Sequence, residues 1–384
     1  IIVIILQFRL RLINFKKMIR IRSPGRICLF GEHQDYLNYP IISMAISKYI
    51  YLQAERTSEP KFIINQPDIE VSLEIPLNGR ELEYRSNRDY LVSGYNHFIR
   101  KNFKFERGYK IQITGDIPIN AGVASSSALV IAWLYFLNLI SGGVLDKFQM
   151  AIEGFNTEVK EFREGGGMMD HFTSVFGNLI FLKPERFTPR VFIYDLPLEG
   201  FILGNSMGKK ATVDDLLNTK NASLKAFDIL KEIYPNFNQF HTKMEDIEPY
   251  LVNLEKKYKQ KVLGNIINRD ITLIAKELID NQYSLKSLIK QEDISNNFYQ
   301  ELGNLLNLHH YQLSENIQIS TEKIDKLIRK CLKNGAYGCK INGSGFGGTM
   351  FALYPKNEEL IKNTIEEAGG EGHILKISAG VEEY

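Results

Sequence analysis

At 384 residues the chain is long enough for two domains, because single hydrophobic cores seldom grow beyond roughly 250 to 300 residues. With 44% hydrophobic residues, 24% charged residues and a formal net charge of +2, the composition is that of an ordinary globular protein. It offers no basic excess for nucleic acid or another polyanion, so small-molecule partners are expected. Three cysteines, Cys28, Cys331 and Cys339, lack any paired metal spacing and point to free thiols in a reducing, cytoplasmic compartment.

The chain opens on the apolar run Ile1 to Leu6, followed by Arg9, Arg11, Lys16 and Lys17. The run falls well short of the roughly 20 apolar residues that cross a bilayer, and its charges follow the apolar stretch, the wrong order for a secretory signal. Met18 stands just ahead of the first strand pattern. Residues 1–17 are therefore read as an extension upstream of the true start and left out of the fold, the alternative being an extra strand or a peripheral apolar segment; no membrane attachment is expected.

From Met18, Ile19 and Ile21 alternate with Arg20 and Arg22 as a half-exposed strand, and Ile27 to Phe30 read as a second, buried strand. Further β-rich runs cover Lys48 to Glu55, Lys61 to Glu74 and Tyr109 to Thr114. Helical patterns take Ser125 to Leu139 and Phe148 to Glu164, and Asn178 to Leu182 forms another strand. A change of pattern near residue 196 is read as the domain boundary. Beyond it, a strand and turn at Phe201 to Ser206 precede helix-period stretches over 212–335, and a glycine-rich segment with two strands closes the chain. Helices combined with a terminal antiparallel set suit an α+β domain of ferredoxin-like type.

Four segments carry chemistry. In Ser23-Pro24-Gly25-Arg26-Ile27-Cys28-Leu29-Phe30-Gly31-Glu32-His33-Gln34-Asp35-Tyr36, three strongly hydrogen-bonding side chains, Glu32, His33 and Asp35, follow a buried strand. That placement is costly unless they face a polar ligand, and a polyhydroxylated sugar fits. Pro118-Ile119-Asn120-Ala121-Gly122-Val123-Ala124 leads into Ser125-Ser126-Ser127-Ala128, where small residues enter a helix. Unsatisfied N–H groups and the helix macrodipole favour an anion there, and the hydroxyls can coordinate the magnesium that accompanies a nucleotide; plain capping by serine explains the same residues when they are taken alone. Gly166-Gly167-Met168-Met169-Asp170-His171-Phe172 brings an aspartate behind glycines that permit close approach of substrate, although such an aspartate also suits an N-cap. The fourth segment, Lys340-Ile341-Asn342-Gly343-Ser344-Gly345-Phe346-Gly347-Gly348-Thr349, is a glycine-rich turn, common in itself. His309 and His310 are adjacent and cannot share a helix face, so they are read as a structural or surface pair and not as metal ligands.

Taken together and in this order, the four segments resemble the signature motifs of the GHMP kinases, the superfamily of galactokinase, homoserine kinase, mevalonate kinase and phosphomevalonate kinase. The resemblance runs from Met18 to the C-terminus and lies closest to galactokinase. It implies an α+β, two-domain fold: a ribosomal-protein-like β-α-β domain over 18–195 and a ferredoxin-like domain over 196–384 that carries a helical insert and the glycine-rich motif. It implies transfer of the γ-phosphate of ATP to the anomeric hydroxyl of galactose or a close hexose relative, with Mg2+ as cofactor and the site between the domains. Asp170 would be the general base. Arg26 beside it would stabilise charge on the transferring phosphoryl group, where the bare sequence offers only a surface arginine after a Pro-Gly turn. Glu32, His33, Asp35 and Gly167 would bind the acceptor, and Pro118, Gly122, Ala124, Ser125, Ser126, Ser127, Gly343 and Gly345 would bind ATP. Ser126 and Glu158 would hold magnesium; without the resemblance Glu158 reads as a solvated helix face.

Other acceptors of the superfamily, namely N-acetylhexosamine, a uronic acid, arabinose or mevalonate, are the alternatives within enzymes. A non-catalytic sugar sensor is the alternative outside them, disfavoured by intact Arg26, Ser126 and Asp170. A decarboxylase of the same fold is disfavoured by the Glu-His-Gln-Asp signature. Val123-Ala124 stand where Leu-Gly or Leu-Ser usually precede the serines. The tyrosine-bearing sugar contact of galactokinases is not recognisable after Gly204-Asn205-Ser206-Met207-Gly208-Lys209-Lys210-Ala211-Thr212, which leaves the identity of the sugar open. A monomer or weak dimer is expected.

Overall fold

The computed structural model describes residues 18–118, 121–185, 188–208, 213–289 and 294–384. The N-terminal extension 1–17, Ile119 and Asn120 of the phosphate-loop segment, and residues 209–212 lie outside the described residues.

Two sheets organise the chain. The larger runs β12-β1-β2-β5-β3-β4, with β6 on β2 and β7 on β6. Its long members are β1 (Met18–Phe30) and β2 (Ile41–Thr57), followed by β3 (Lys61–Gln66), β4 (Val71–Pro76), β5 (Gly108–Gly115), β6 (Leu179–Lys183), β7 (Arg190–Tyr194) and β12 (Glu382–Glu383). The two strands expected from Met18 to Phe30 are one. Pro24-Gly25 looks like a turn in sequence, but the β1/β2 ladder merely skips, from Pro24 opposite Tyr49 to Arg26 opposite Ala45. Such a bulge redirects the strand without ending it.

Against the inner face of this sheet pack α1 (Tyr90–Arg100) and α2 (Ser125–Ile140). Their Leu91, Tyr95, Phe98, Trp133 and Phe136 meet Ile21, Leu52, Phe62 and Ile64 in one core. No residue of α2 is fully exposed, the burial expected of a helix that is apolar on all sides. Next come α3 (Lys147–Phe155) and α4 (Met169–Phe176).

The second sheet runs β11-β8-β10-β9, all antiparallel, from β8 (Phe201–Asn205), β9 (Gly338–Asn342), β10 (Thr349–Leu353) and β11 (Glu371–Leu375). Numbered within this unit the order is 4-1-3-2, and helices join its first two and last two strands, the ferredoxin-like arrangement. Between β8 and β9 lie α5 (Val213–Ile233), α6 (Lys256–Ile289), α7 (Asn296–Tyr311) and α8 (Glu322–Lys333), and α9 (Glu358–Glu367) precedes β11. The two sheets share a core in which Leu29, Phe30 and Met44 meet Phe201, Leu203, Phe351 and the α6 and α7 residues Ala275 and Leu306. Residues at the sheet junction are thus fixed from both sides. The three cysteines are free and buried, and among the described residues no helix is long and apolar enough to cross a membrane.

Candidate active site

The chain enters α2 through Ala124, held at φ 63° and ψ 39° with no side-chain cap. This left-handed conformation is uncommon outside glycine. The first amide of the helix with a backbone acceptor here is that of Ala128, bonded to Ala124 O at 3.0 Å, so the amides of Ser125, Ser126 and Ser127 remain for an anion. The bulge in β1 brings Arg26 beneath this turn: Arg26 N donates to Val123 O at 3.1 Å and Nη1 to Gly122 O at 2.7 Å. Gly25 makes the approach possible, because a Cβ there would lie 2.7 Å from Val123 O.

Arg26 Nε donates to Asp170 Oδ1 at 2.7 Å. Burial opposes the guanidinium charge, yet neighbouring Asp170 and Glu32 hold it above its ordinary range, so this cation is permanent. Asp170 is the second residue of α4 and not its N-cap, which is Met168. Its side chain stays partly open, 26% exposed against 6% for Arg26, and can still receive a ligand.

Close to Asp170, Asp35 Oδ1 accepts from Tyr36 N at 2.9 Å and Oδ2 from Met169 N at 3.3 Å. Burial, reinforced by Asp170, raises the Asp35 carboxyl to about 6. A Cβ on Gly167 would stand 2.2 Å from Asp35 Oδ2, so glycine is required there. His33 Nε2 lies 3.0 Å from Ser344 O and Nδ1 2.9 Å from the Tyr36 hydroxyl. A carbonyl can only accept, so Nε2 carries the proton and Nδ1 accepts from Tyr36. Burial pushes this imidazole down to about 4, and it is neutral at physiological pH.

Glu158 is not on a solvated helix face. It sits in a wide π-helical turn, Asn156–Lys160, that continues α3, and is 5% exposed. Its Oε2 accepts from His171 Nε2 at 2.8 Å. Burial by itself would raise this carboxyl, but hydrogen bonds from His171, Ser126 and Ser127 outweigh it and hold the group below its ordinary value. Ser126 and Glu158 are therefore neighbours across the helix start. Among the described residues no group of three or more His, Cys, Asp and Glu forms a ready-made metal cage.

A cavity of about 910 Å³ joins these parts and is lined by Arg26, Glu32, His33, Asp35, Gly122, Ala124, Ser125, Ser126, Ser127, Glu158, Gly167, Asp170 and Gly343. Pro118 and Gly345 do not line it. Pro118 O accepts from Ala121 N, and Gly345 packs on Ile319, where a Cβ would meet that side chain at 2.6 Å; both shape loops instead. Sequence reasoning missed Tyr36, Arg88, Tyr90, Glu164 and His171, which also line the cavity. Tyr36 and His171 fall within the Ser23–Tyr36 and Gly166–Phe172 segments, whereas Arg88, Tyr90 and Glu164 carried no signal. It also missed Lys340, wholly buried, whose Nζ lies 3.3 Å from Glu32 Oε2. His309 and His310 are structural but not at the surface: His309 Nε2 accepts from Gly31 N at 3.2 Å, and His310 Nε2 pairs with Asp325 Oδ1 at 3.2 Å.

Three family descriptions match the chain: "GHMP kinases N terminal domain" over residues 89–178, "GHMP kinases C terminal" over 284–371 and "Galactokinase galactose-binding signature" over 14–56. A galactokinase of Pyrococcus furiosus is 24% identical over 363 residues, 94% of this chain and 95% of that protein. A mevalonate kinase of the same organism is 27% identical over 364 residues, 93% of this chain and 95% of that protein. The fold matches the crystal structure of Lactococcus lactis galactokinase complexed with galactose, with a TM-score of 0.81, 18% identity and 96% of each chain covered.

Proposed function

We propose that this chain, which belongs to the GHMP kinase family, transfers the γ-phosphate of ATP to the anomeric hydroxyl of a neutral hexose, galactose or a close relative, giving a sugar 1-phosphate. The observation that carries the substrate class is the charge of the cleft. Its acceptor end presents Glu32, a neutral His33, Asp35 and Tyr36, and the cations among the described lining residues are already engaged, Arg26 with Asp170 and Arg88 with Glu164. A carboxylate acceptor such as mevalonate would meet carboxylates and, among the described lining residues, no free cation, whereas neighbouring sugar hydroxyls would find donors and acceptors. The match to a galactose-binding signature agrees with this reading.

In this reading the triphosphate lies on the amides of Ser125 to Ser127, between Gly122 and Gly343. The acceptor hydroxyl gives its proton to Asp170 as its oxygen bonds to the γ-phosphorus, and the bond from that phosphorus to the β–γ bridging oxygen breaks to release ADP. Arg26 faces the charge that develops on the transferring group. Ser126 and Glu158 fit magnesium: both line the cavity at the start of α2, one as a hydroxyl and one as a carboxylate held below its ordinary value, and they leave the other positions to water and phosphate. When bound, that ion would neutralise charge on the phosphate oxygens. We assign the nucleotide and acceptor contacts to elements on both sides of a domain boundary near residue 196.

The test is ADP release from ATP and magnesium with galactose, other hexoses, N-acetylhexosamines, arabinose, uronic acids and mevalonate. Turnover with galactose or a close neutral hexose is expected. Efficient phosphorylation of mevalonate with no activity on any neutral sugar would overturn the substrate class and leave the kinase chemistry standing.

A further inference from the structure

Two consecutive residues of the acceptor loop hold two consecutive residues of the glycine-rich turn. Glu32 Oε2 accepts from Gly343 N at 2.8 Å, and His33 Nε2 donates to Ser344 O at 3.0 Å. His33 takes φ 61° to do so, a left-handed conformation of the kind that persists only where its surroundings enforce it. Gly343 in turn lies against the phosphate loop, since a Cβ on it would come within 2.5 Å of Gly122 O. Asn342 secures the same junction from below: its Nδ2 donates to Gly122 O at 2.9 Å and its Oδ1 accepts from Cys28 N at 2.8 Å. The acceptor loop, the glycine-rich turn and the phosphate cradle are thus joined by direct bonds.

Beneath the junction sits Lys340, on β9, fully buried. Its Nζ meets Glu32 Oε2 at 3.3 Å and donates to Ile341 O at 2.7 Å, and it lies 5.6 Å from the centre of the Phe351 ring. It does not line the cavity, so it cannot touch either substrate. An ammonium in such a place is costly unless its partner is fixed, and once fixed it fixes the partner in return. Both contacts of Glu32 converge on one oxygen, which sets the side chain as a strut between strand β9 and Gly343.

We infer that Lys340 is a positioning residue: through Glu32 it locks the glycine-rich turn against the phosphate loop, so that nucleotide affinity depends on it and acceptor and nucleotide bind cooperatively. The inference rests on the reading of the cleft as a kinase site.

Isothermal titration of the full chain with the magnesium complex of a non-hydrolysable ATP analogue, with and without D-galactose, tests it. In the parent each ligand should tighten the other by about tenfold, a usual size for coupling between sites. Lys340→Met should weaken the analogue by about tenfold without sugar and bring the coupling factor close to one. Adding Glu32→Gln, which restores an uncharged acceptor for Gly343 N, should recover most of the nucleotide affinity; a lysine that served stability alone would shift melting and leave the affinities of the folded protein unchanged. If Lys340→Met does not fold, the apolar pair Glu32→Leu with Lys340→Met replaces it, since buried ion pairs tolerate such exchange, and should show the same nucleotide loss. Parental nucleotide affinity in folded Lys340→Met, or in Lys340→Met with Glu32→Leu, overturns the inference, as does a parent that binds both ligands without coupling. Galactose that fails to bind while Lys340→Met still loses nucleotide supports the role of Lys340 and counts against galactose as acceptor.

Discussion

Asp35→Asn separates stability from function in a way the cleft dictates. The Asp35 carboxyl moves from an ordinary 3.8 in the unfolded chain to about 6 in the folded one, through burial and then through Asp170. Because the folded value is the higher, the native state holds its proton more tightly, and ionisation at neutral pH costs the fold about 3 kcal/mol, from about 1.4 kcal/mol per pH unit. Asparagine removes that cost. It keeps an oxygen for Tyr36 N and loses the acceptor for Met169 N, a bond worth about 1 kcal/mol, so the variant should be more stable by about 2 kcal/mol at about pH 7.5. The sign follows from the two values. Below about pH 4 aspartate is protonated in both states and the advantage vanishes; it grows as pH rises through about 6 and is constant above. Chemical and thermal unfolding of parent and variant at about pH 4 and about pH 7.5 would read this directly. The same substitution should weaken hexose use by about tenfold to a hundredfold, because an acceptor hydroxyl loses a charged partner, and leave nucleotide binding unchanged. A variant less stable than the parent at neutral pH, or equally shifted at both pH values, would refute the account of a desolvated carboxylate held for the substrate.

Asp170→Asn removes both the proposed base and the partner of Arg26, so turnover should fall by about a hundredfold or more while the analogue binds as in the parent; single-turnover rates within a few-fold of the parent would exclude Asp170 as the base. Ser126→Ala and Glu158→Gln should each leave the chain folded and raise the magnesium concentration needed for half-maximal rate, with activity partly restored by added metal; a magnesium dependence identical to the parent in both would exclude the pair as its site.

What was legible in the sequence followed from local chemistry. Glu32, His33 and Asp35 were conspicuous because three polar side chains after a buried strand must face something polar, and they do line the cavity. At the serine-rich helix start the expectation of unsatisfied amides lay in the backbone, and the first amide of the helix with a backbone acceptor is that of Ala128. Pro24-Gly25 misled because a turn and a bulge use the same residues, and only the partner strand decides between them. Glu158 was illegible as a buried group, since its burial depends on a π-turn and on His171, residues that reveal nothing as separate letters.

Lys340 was hidden for a more general reason. A lysine in a five-residue strand pattern predicts a solvent-facing position, and β9 is buried along its whole length. What makes the ammonium tolerable is Glu32, 308 positions away, so the pair exists only when the two sheets close on each other. The cavity lies along that same closure, with Arg26 and Glu32 contributed by the large sheet and the loop after it, and Gly343 by the turn after β9. Lys340 therefore reads poorly in the sequence because its partner lies on the other half. Lys340 lines no part of the cavity, yet in the proposed reading the set of the phosphate cradle depends on it.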